Sequence, residues 1–316
     1  MKRTALPVAV VAIVLGLTAA LASVAGAKQF SNWGPAQSAE QPGGGANLNT
    51  AALEGCPIQS PDGRSLYFAS NRPGGLGGLD IWVAYRNAAG AWGEPANLGA
   101  PVNSSADDFC PTPLTVGRLF FVSARAGEGA CGGPDIYMTR RIGNGWAEPE
   151  NLGCKVNSSG AEFSPSVVNI GGVPHLYFSS NRPGGYSSAG PDTDHDIYVS
   201  RLVIEGGSKA WTSPEIVPGL NSAFDDARPN VGFDGKEIVF DSTRPGGLGG
   251  PDIWSSSRTN VHSEWGQPVN LGPNVNSAAG ESRPSLSRDG MTLLFGSNRP
   301  GAEGNSDIFF STREKE

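Results

Sequence analysis

Charged residues are scarce in this chain of 316 residues. They make up 17% of the sequence, and 23 Lys and Arg stand against 30 Asp and Glu, so the formal net charge is −7. Phosphate groups are bound mainly through Lys and Arg, so a chain without a basic excess is a poor candidate for binding nucleic acid. We therefore expect no nucleic-acid partner.

Motifs that carry common enzymatic chemistry are also missing. The sequence has no G-x-S-x-G elbow, no H-E-x-x-H pair and no phosphate loop, and it contains only three His. No segment shows a convincing apolar period of 3.6 residues, which argues against helical architectures. What the chain has instead is 45 Gly and 25 Pro, residues that damage helix interiors and occupy turns. The composition indicates a turn-rich, all-β protein.

The first 27 residues have the pattern of a secretory signal peptide. Lys2 and Arg3 precede an apolar run over residues 5–22, and Ala25-Gly26-Ala27 follows as an A-x-A cleavage pattern. We expect cleavage after Ala27, with a membrane anchor as the alternative. The mature chain, residues 28–316, would then be acidic, without a transmembrane segment, and periplasmic or secreted.

One sequence unit recurs five times. Each copy has a Ser-x-Arg turn, then an Asp-Ile-aromatic triplet, and before them a Pro. The turn contains Arg72, Arg125, Arg182, Arg244 or Arg299. The triplet begins with Asp80, Asp135, Asp196, Asp252 or Asp307. Each unit predicts strand a around the Pro, strand b as Leu-x-Phe-x-Ser, strand c from the triplet, and strand d from a following Trp. Four-stranded units of this length are typical of β-propeller blades.

The two ends of the chain indicate how the ring closes. The last unit stops after strand c without a following Trp, and the missing piece occurs near the start as Trp33-Gly34-Pro35. We predict one five-bladed β-propeller in which the N-terminal strand completes the C-terminal blade, so that no blade edge stays open. An open solenoid or a sandwich is the alternative, and we expect a monomer. The predicted blades cover about residues 54–98, 108–152, 162–217, 226–271 and 281–316, with the closing strand at 33–48.

These motifs, together with the turn Ser60-Pro61-Asp62-Gly63, resemble the TolB-type repeat family of WD40-like β-propellers. The resemblance covers about residues 33–316, although the separate N-terminal domain of TolB has no counterpart here. It implies an exported, non-enzymatic propeller that acts as a binding or scaffold module for a protein of the cell envelope or the extracellular space.

The repeated Arg and Asp are predicted to be structural. The Arg ends strand b and the Asp starts strand c, so both lie at the same turn. We expect each Arg to pair with the Asp of its own unit through charge-assisted hydrogen bonds, which would give five clamps on the Gly-rich loops. A ligand role is the less favoured alternative, because an ion pair alone says little about function.

A second set of acids lies three residues before each Pro. These acids are Glu54, Asp108, Glu162, Asp226 and Glu281. The link from strand d to strand a lies at a mouth of the channel, so the five carboxylates could surround it and bind a cation or a cationic peptide. Alternatively, each carboxylate accepts backbone N–H bonds within its own loop, which the repetition favours. We expect the binding surface at this mouth, among the d–a and b–c loops.

The residues directly before each Pro break this symmetry. Arg228 and Arg283 occupy that position in neighbouring units. They would bind an anionic group or neutralise Asp226 and Glu281.

An enzyme is the second functional hypothesis. Glycosidases use a pair of carboxyl groups, and the five acids could supply one, although the set is more uniform than distinct catalytic roles require. Non-catalytic carbohydrate binding on exposed aromatics such as Trp33 or Tyr186 is a third possibility.

The four Cys residues are expected to form disulfides in an exported protein. Four Cys allow three pairings. Cys56 and Cys110 occupy equivalent positions in neighbouring units, and Cys131 and Cys154 belong to two loops on one face. We predict the pairs Cys56–Cys110 and Cys131–Cys154.

The largest insertion lies between strands b and c of the third unit. Its alternating Asp192, Asp194 and Asp196 supply oxygen ligands of the kind that Ca²⁺ prefers. A bound divalent cation and a solvated acidic loop are both open, and no other cofactor is expected.

Overall fold

A computed structural model describes residues 30–40, 47–115, 117–127, 129–186 and 194–316. The predicted signal peptide lies outside these residues, so its cleavage stays a prediction. In the described part of the chain, no helix has the length and hydropathy of a membrane span.

Five antiparallel sheets are arranged around a channel as a five-bladed β-propeller, which confirms the predicted fold. The innermost strand a of each blade is β2 (Glu54–Gln59), β6 (Asp108–Leu114), β11 (Glu162–Ile170), β16 (Asp226–Val231) or β20 (Glu281–Leu286). Strand b is β3 (Ser65–Ser70), β7 (Arg118–Ser123), β12 (Val173–Ser180), β17 (Glu237–Ser242) or β21 (Thr292–Ser297). Strand c is β4 (Asp80–Tyr85), β8 (Asp135–Ile142), β13 (Asp196–Glu205), β18 (Asp252–Ser257) or β22 (Asp307–Thr312).

The outermost strand d has only two residues in every blade. It is β5 (Ala96–Asn97), β10 (Glu150–Asn151), β15 (Glu215–Ile216), β19 (Val269–Asn270) or β1 (Gln37–Ser38). Two further short strands, β9 (Gly145–Trp146) and β14 (Ser208–Trp211), pair with the far ends of strands c in blades 2 and 3. We call the end of the channel with the b–c loops and d–a links the upper end, and the end with the a–b turns the lower end.

The core lies between neighbouring blades. A Phe in the middle of every strand b is fully buried: Phe68, Phe121, Phe178, Phe240 and Phe295. Both faces of each sheet are covered by neighbours, so the strands b read as continuous apolar runs. Burying such a side chain contributes on the order of 2 kcal/mol of hydrophobic free energy.

The N-terminal strand closes the ring. β1 pairs antiparallel with β22, with Gln37 opposite Phe310 and Ser38 opposite Phe309. Trp33 is buried in the core between blades 4 and 5. The side chain of Asn49 continues this contact, since it accepts a hydrogen bond from the N–H of Ile308 at 2.7 Å.

Every strand a carries a β-bulge at its Pro. The pre-proline residue has a positive φ between 47° and 56° in all five blades, at Cys56, Cys110, Ser164, Arg228 and Arg283. The register with strand b shifts at the same place. Pro cannot donate to a ladder and is tolerated at bulges of edge strands, so the bulge explains why a Pro recurs in the innermost strand.

Both predicted disulfides are confirmed. Cys56 pairs with Cys110 across the bulges of blades 1 and 2, with Cα atoms 4.7 Å apart, and Cys131 pairs with Cys154 at 5.4 Å.

Candidate functional site

The five Arg clamps exist, but their partner differs from the prediction. Arg72 donates to the carboxylate of Glu54 at 3.0 Å rather than to Asp80. It also donates to the carbonyl groups of Asn47 and Leu48, and its guanidinium lies 5.0 Å from the ring centroid of Phe68. The four other pairs are Arg125–Asp108, Arg182–Glu162, Arg244–Asp226 and Arg299–Glu281. Strand a begins at the same end of the blade as the b–c turn. The side chain of the Arg points inward from that turn to the acid at the start of strand a.

The Asp of each triplet holds the b–c loop through the backbone instead. The Oδ2 atom of Asp80 accepts the N–H of Leu76 at 2.5 Å, and the equivalent atoms of Asp135, Asp196, Asp252 and Asp307 accept equivalent loop N–H groups. This contact explains the Gly-Gly of the motif. Gly74 has a φ of +96°, and a Cβ on Gly75 would lie 1.9 Å from Asp80 Oδ2.

The five acids before the Pro are buried inside their own blades. Glu54, Asp108, Glu162, Asp226 and Glu281 are each 0% exposed. Besides the Arg, each carboxylate accepts the backbone N–H and the hydroxyl group of a Ser or Thr four residues earlier: Thr50, Ser104, Ser158, Ser222 or Ser277. This geometry matches the loop interpretation given above, in which each carboxylate is held within its own blade.

Arg228 and Arg283 do not neutralise Asp226 and Glu281, which are held by other Arg residues. Arg228 donates from Nη1 to Asp241 at 2.6 Å, and Arg283 reaches the same carboxylate only through its backbone N–H, at 2.8 Å. Both bulges thus converge on one buried acid.

The acidic loop of blade 3 is only partly described. Asp192 lies outside the described residues, and Asp194 lies at their edge. Asp196 is buried and turned inward, where its Oδ2 atom accepts the N–H of Tyr186. The described residues contain no group of three metal-ligating side chains, and the calcium expectation stays a prediction.

The main cavity opens at the lower end, opposite to the expected face. It has a volume of about 340 Å³ and is lined from all five blades. Its walls are largely apolar, with Ile58, Leu114, Val167, Leu202 and Leu286 among them. We define these residues together with Trp211, Phe233, Arg118 and Arg288 as the lower cavity.

The blade symmetry is broken at the wall of this cavity. In four blades an Arg at the end of strand c stacks on the following Trp; the pairs are Arg86–Trp92, Arg141–Trp146, Arg258–Trp265 and Arg313–Trp33, with 3.9–4.4 Å from the guanidinium carbon to the ring centroid. In blade 3, Leu202 stands opposite Trp211. No described guanidinium covers this indole, which packs edge-on against Phe120 and borders the cavity.

The charged residues in the lining of the lower cavity are both basic. Arg118 and Arg288 belong to its lining, and no Asp or Glu does within the described residues. Arg288 lies 4.0 Å above the ring of Phe233, a side chain that is 56% exposed. An apolar floor with cationic groups at its rim suits an occupant that combines apolar side chains with negative charge.

The chain is similar in fold to several solved structures, all at low sequence identity. An α-L-arabinofuranosidase from Podospora anserina is 12% identical, with a TM-score of 0.53 over 92% of this chain and 98% of that one. A GH43_12 protein from a capybara gut metagenome is 16% identical, with a TM-score of 0.56 over 90% and 57%. TolB from Acinetobacter baumannii is 16% identical, with a TM-score of 0.46 over 82% and 54%.

The likeness is one of fold alone. No family model matches the sequence, and no curated protein does. The function has to be argued from the site, because one fold carries many unrelated functions.

Proposed function

We propose that this chain is an exported, non-enzymatic binding propeller that holds an extended segment of a partner protein in the lower cavity. The observation that carries the proposal is the uncovered Trp211 beside Leu202, at the one blade where the Arg–Trp stack is replaced. A large aromatic side chain in an apolar pocket is the kind of anchor point that dominates protein–protein affinity.

The chemistry of the walls favours a peptide over a sugar. Aliphatic side chains such as Ile58, Leu114 and Leu286 supply no partners for sugar hydroxyl groups, whereas they can bury apolar side chains of a peptide. Arg118 and Arg288 fit carboxylates on the same segment through charge-assisted hydrogen bonds. The preferred occupant is thus an extended peptide with a large apolar residue flanked by Asp or Glu.

A glycoside hydrolase or carbohydrate-binding role is the second candidate. A glycosidase needs two carboxyl groups that can reach the substrate. The five acids named for that role from the sequence are buried against Arg, so we place the binding function first. The two disulfides are typical of proteins in an oxidising, exported setting, and the partner is accordingly sought in the cell envelope or outside the cell.

A peptide-display selection on the purified protein tests the proposal. Enriched peptides should share an apolar residue next to Asp or Glu, and their affinity is measured by fluorescence anisotropy. Leu202→Arg should weaken binding at least about tenfold, because a guanidinium would then cover Trp211. The matched control is Arg86→Leu in blade 1, which should leave the affinity unchanged.

Three results would count against the proposal. The first is a selection that enriches no sequence, and the second is a peptide that binds wild type and Leu202→Arg equally well. The third is an oligosaccharide array in which a glycan binds the wild type and loses affinity in Leu202→Arg, which would assign the cavity to carbohydrate.

A further inference from the structure

Inward from the lower cavity, the channel continues as a small chamber of about 30 Å³. Its walls contain the five bulge prolines Pro57, Pro111, Pro165, Pro229 and Pro284, the Cys56–Cys110 disulfide and Arg283. The chamber and the lower cavity share Ile58, Thr112 and Asn230 in their linings, so the two spaces adjoin. The volume admits about two water-sized particles.

Two side chains in the lining of the chamber, those of Arg283 and Asn230, carry N–H donors. Proline has no N–H, and the carbonyl oxygen atoms of Pro57 and Pro165 already accept the hydroxyl groups of Ser285 and Thr112. The Oδ1 atom of Asn230 accepts the N–H of Leu286 at 2.9 Å, which leaves its amide NH₂ group to donate. No Asp or Glu belongs to the described lining.

Arg283 shares one counter-charge, the carboxylate of Asp241, with Arg228. Arg228 takes the side-chain contact with Asp241, and the only side-chain hydrogen bond of the Arg283 guanidinium to a described residue is a long one, 3.4 Å from Nη1 to Ser282 Oγ. Burial and the positive charge of Arg228 lower the pKa of Arg283 to about 10, so it is still charged at neutral pH. Two guanidinium groups beside one carboxylate leave an excess of positive charge, and an anion in the chamber would balance it.

We propose that the chamber binds one small monovalent anion, held by the Arg283 guanidinium and the Asn230 amide. The anion is a halide from solution or a carboxylate group, which share charge and acceptor character. The size of the chamber excludes sugars and larger anions. The site does not depend on the identity of the partner in the lower cavity.

Crystals of the full chain soaked in sodium bromide, and separately in sodium formate, test the site directly. We expect an anomalous bromide peak, or formate density, within about 3.5 Å of the Arg283 guanidinium nitrogen atoms. Bromide at the site indicates a solution halide as the natural occupant, and formate without bromide indicates a carboxylate. Neither ion beside Arg283 would overturn the proposal.

Thermal melting in solution is the second test of anion binding. At constant ionic strength, replacing gluconate, which is too large for the chamber, by 100 mM of the ion found in the crystal should raise the melting temperature. The expected rise is about 3 °C for a dissociation constant near 10 mM. Arg283→Met should abolish this shift, and Arg140→Met, an exposed Arg outside both cavities, should retain it. If Arg283→Met does not fold, the crystal experiment decides alone; an equal shift in folded Arg283→Met would contradict the proposal.

Discussion

Leu202 faces Trp211 across the end of blade 3, at a position where every other blade sets a guanidinium on the indole. In four blades the Arg covers one face of the Trp at the lower end. In blade 3 this Arg is replaced by Leu202, which leaves Trp211 half-buried beside the channel. Residues that recur in all five blades stabilise the blade itself. A position that differs in one blade is therefore a better candidate for a binding site.

Leu202→Arg should therefore convert blade 3 into a copy of its neighbours. A cation–π contact at a partly exposed site is worth about 0.5–1 kcal/mol, so we expect the free energy of unfolding in urea to stay the same or rise slightly. A loss of more than about 1 kcal/mol would mean that Leu202 is a core residue rather than part of a binding surface. Arg86→Leu, the reverse change in blade 1, should lower stability by a similar small amount.

The clamps should be far more important for stability than the surface charges. In Arg299→Met, Glu281 would be left buried without its partner, which costs about 3–5 kcal/mol. Equilibrium unfolding should show this loss. Arg288→Met, an exposed Arg in the same blade, should change stability by less than about 0.5 kcal/mol.

The double variant Arg299→Met with Glu281→Leu refines this test. It removes both charges, so it should recover part of the loss seen in Arg299→Met. Additive effects of the two changes would show that the ion pair is not coupled.

Much of this architecture follows from the repeats in the sequence. The blade number, the closing strand and both disulfides could be predicted because equivalent positions in neighbouring units must lie near each other. The predicted partner of Arg72 was wrong because two acids, Glu54 and Asp80, lie at the same end of the blade. Spacing along the chain does not tell which one a side chain points to.

Two features of the site needed the structure. The lower cavity is assembled from all five blades, so no local motif marks it. The signal at Leu202 was nevertheless present in the sequence, because the residue six positions after the repeat Asp is Arg in the other four units. The Asn of each d–a link was also missed. The side chains of these five residues exchange hydrogen bonds with the backbone of the Ile after the repeat Asp: Asn49, Asn103, Asn157, Asn221 and Asn276.

The closing strand gives a third prediction. Deleting residues 28–48 removes β1 and the buried Trp33, and exposes the edge of β22. We expect a large drop in melting temperature, by more than about 10 °C, since a buried Trp alone accounts for about 3–5 kcal/mol. A synthetic peptide of residues 30–48 added in excess should restore part of the loss. An unchanged melt would refute the closure.

Asp196 should make stability depend on pH. Burial raises its pKa from 3.8 to about 6. Between pH 4 and 6 the folded state keeps a proton that the unfolded state has lost, so this group's contribution to stability falls as the pH rises through that window. Asp196→Asn keeps an acceptor for the N–H of Tyr186 but does not ionise.

The melting temperature of Asp196→Asn should therefore rise relative to wild type between pH 4 and 7. Parallel melting curves over that range would contradict the prediction. Repeating the pH 7 melt with calcium and with a chelator also tests the sequence-based expectation of a cation at this loop, which predicts a higher melting temperature with calcium.

The pairing of β1 with β22 also sets the order of events during synthesis. β1 is synthesised before the blades, and its partner strand β22 follows more than 260 residues later. Blades 1 to 4 can form as their own segments emerge, but the ring cannot close before β22 has been made. Until then β1 has no partner strand, and closure follows the synthesis of the first four blades.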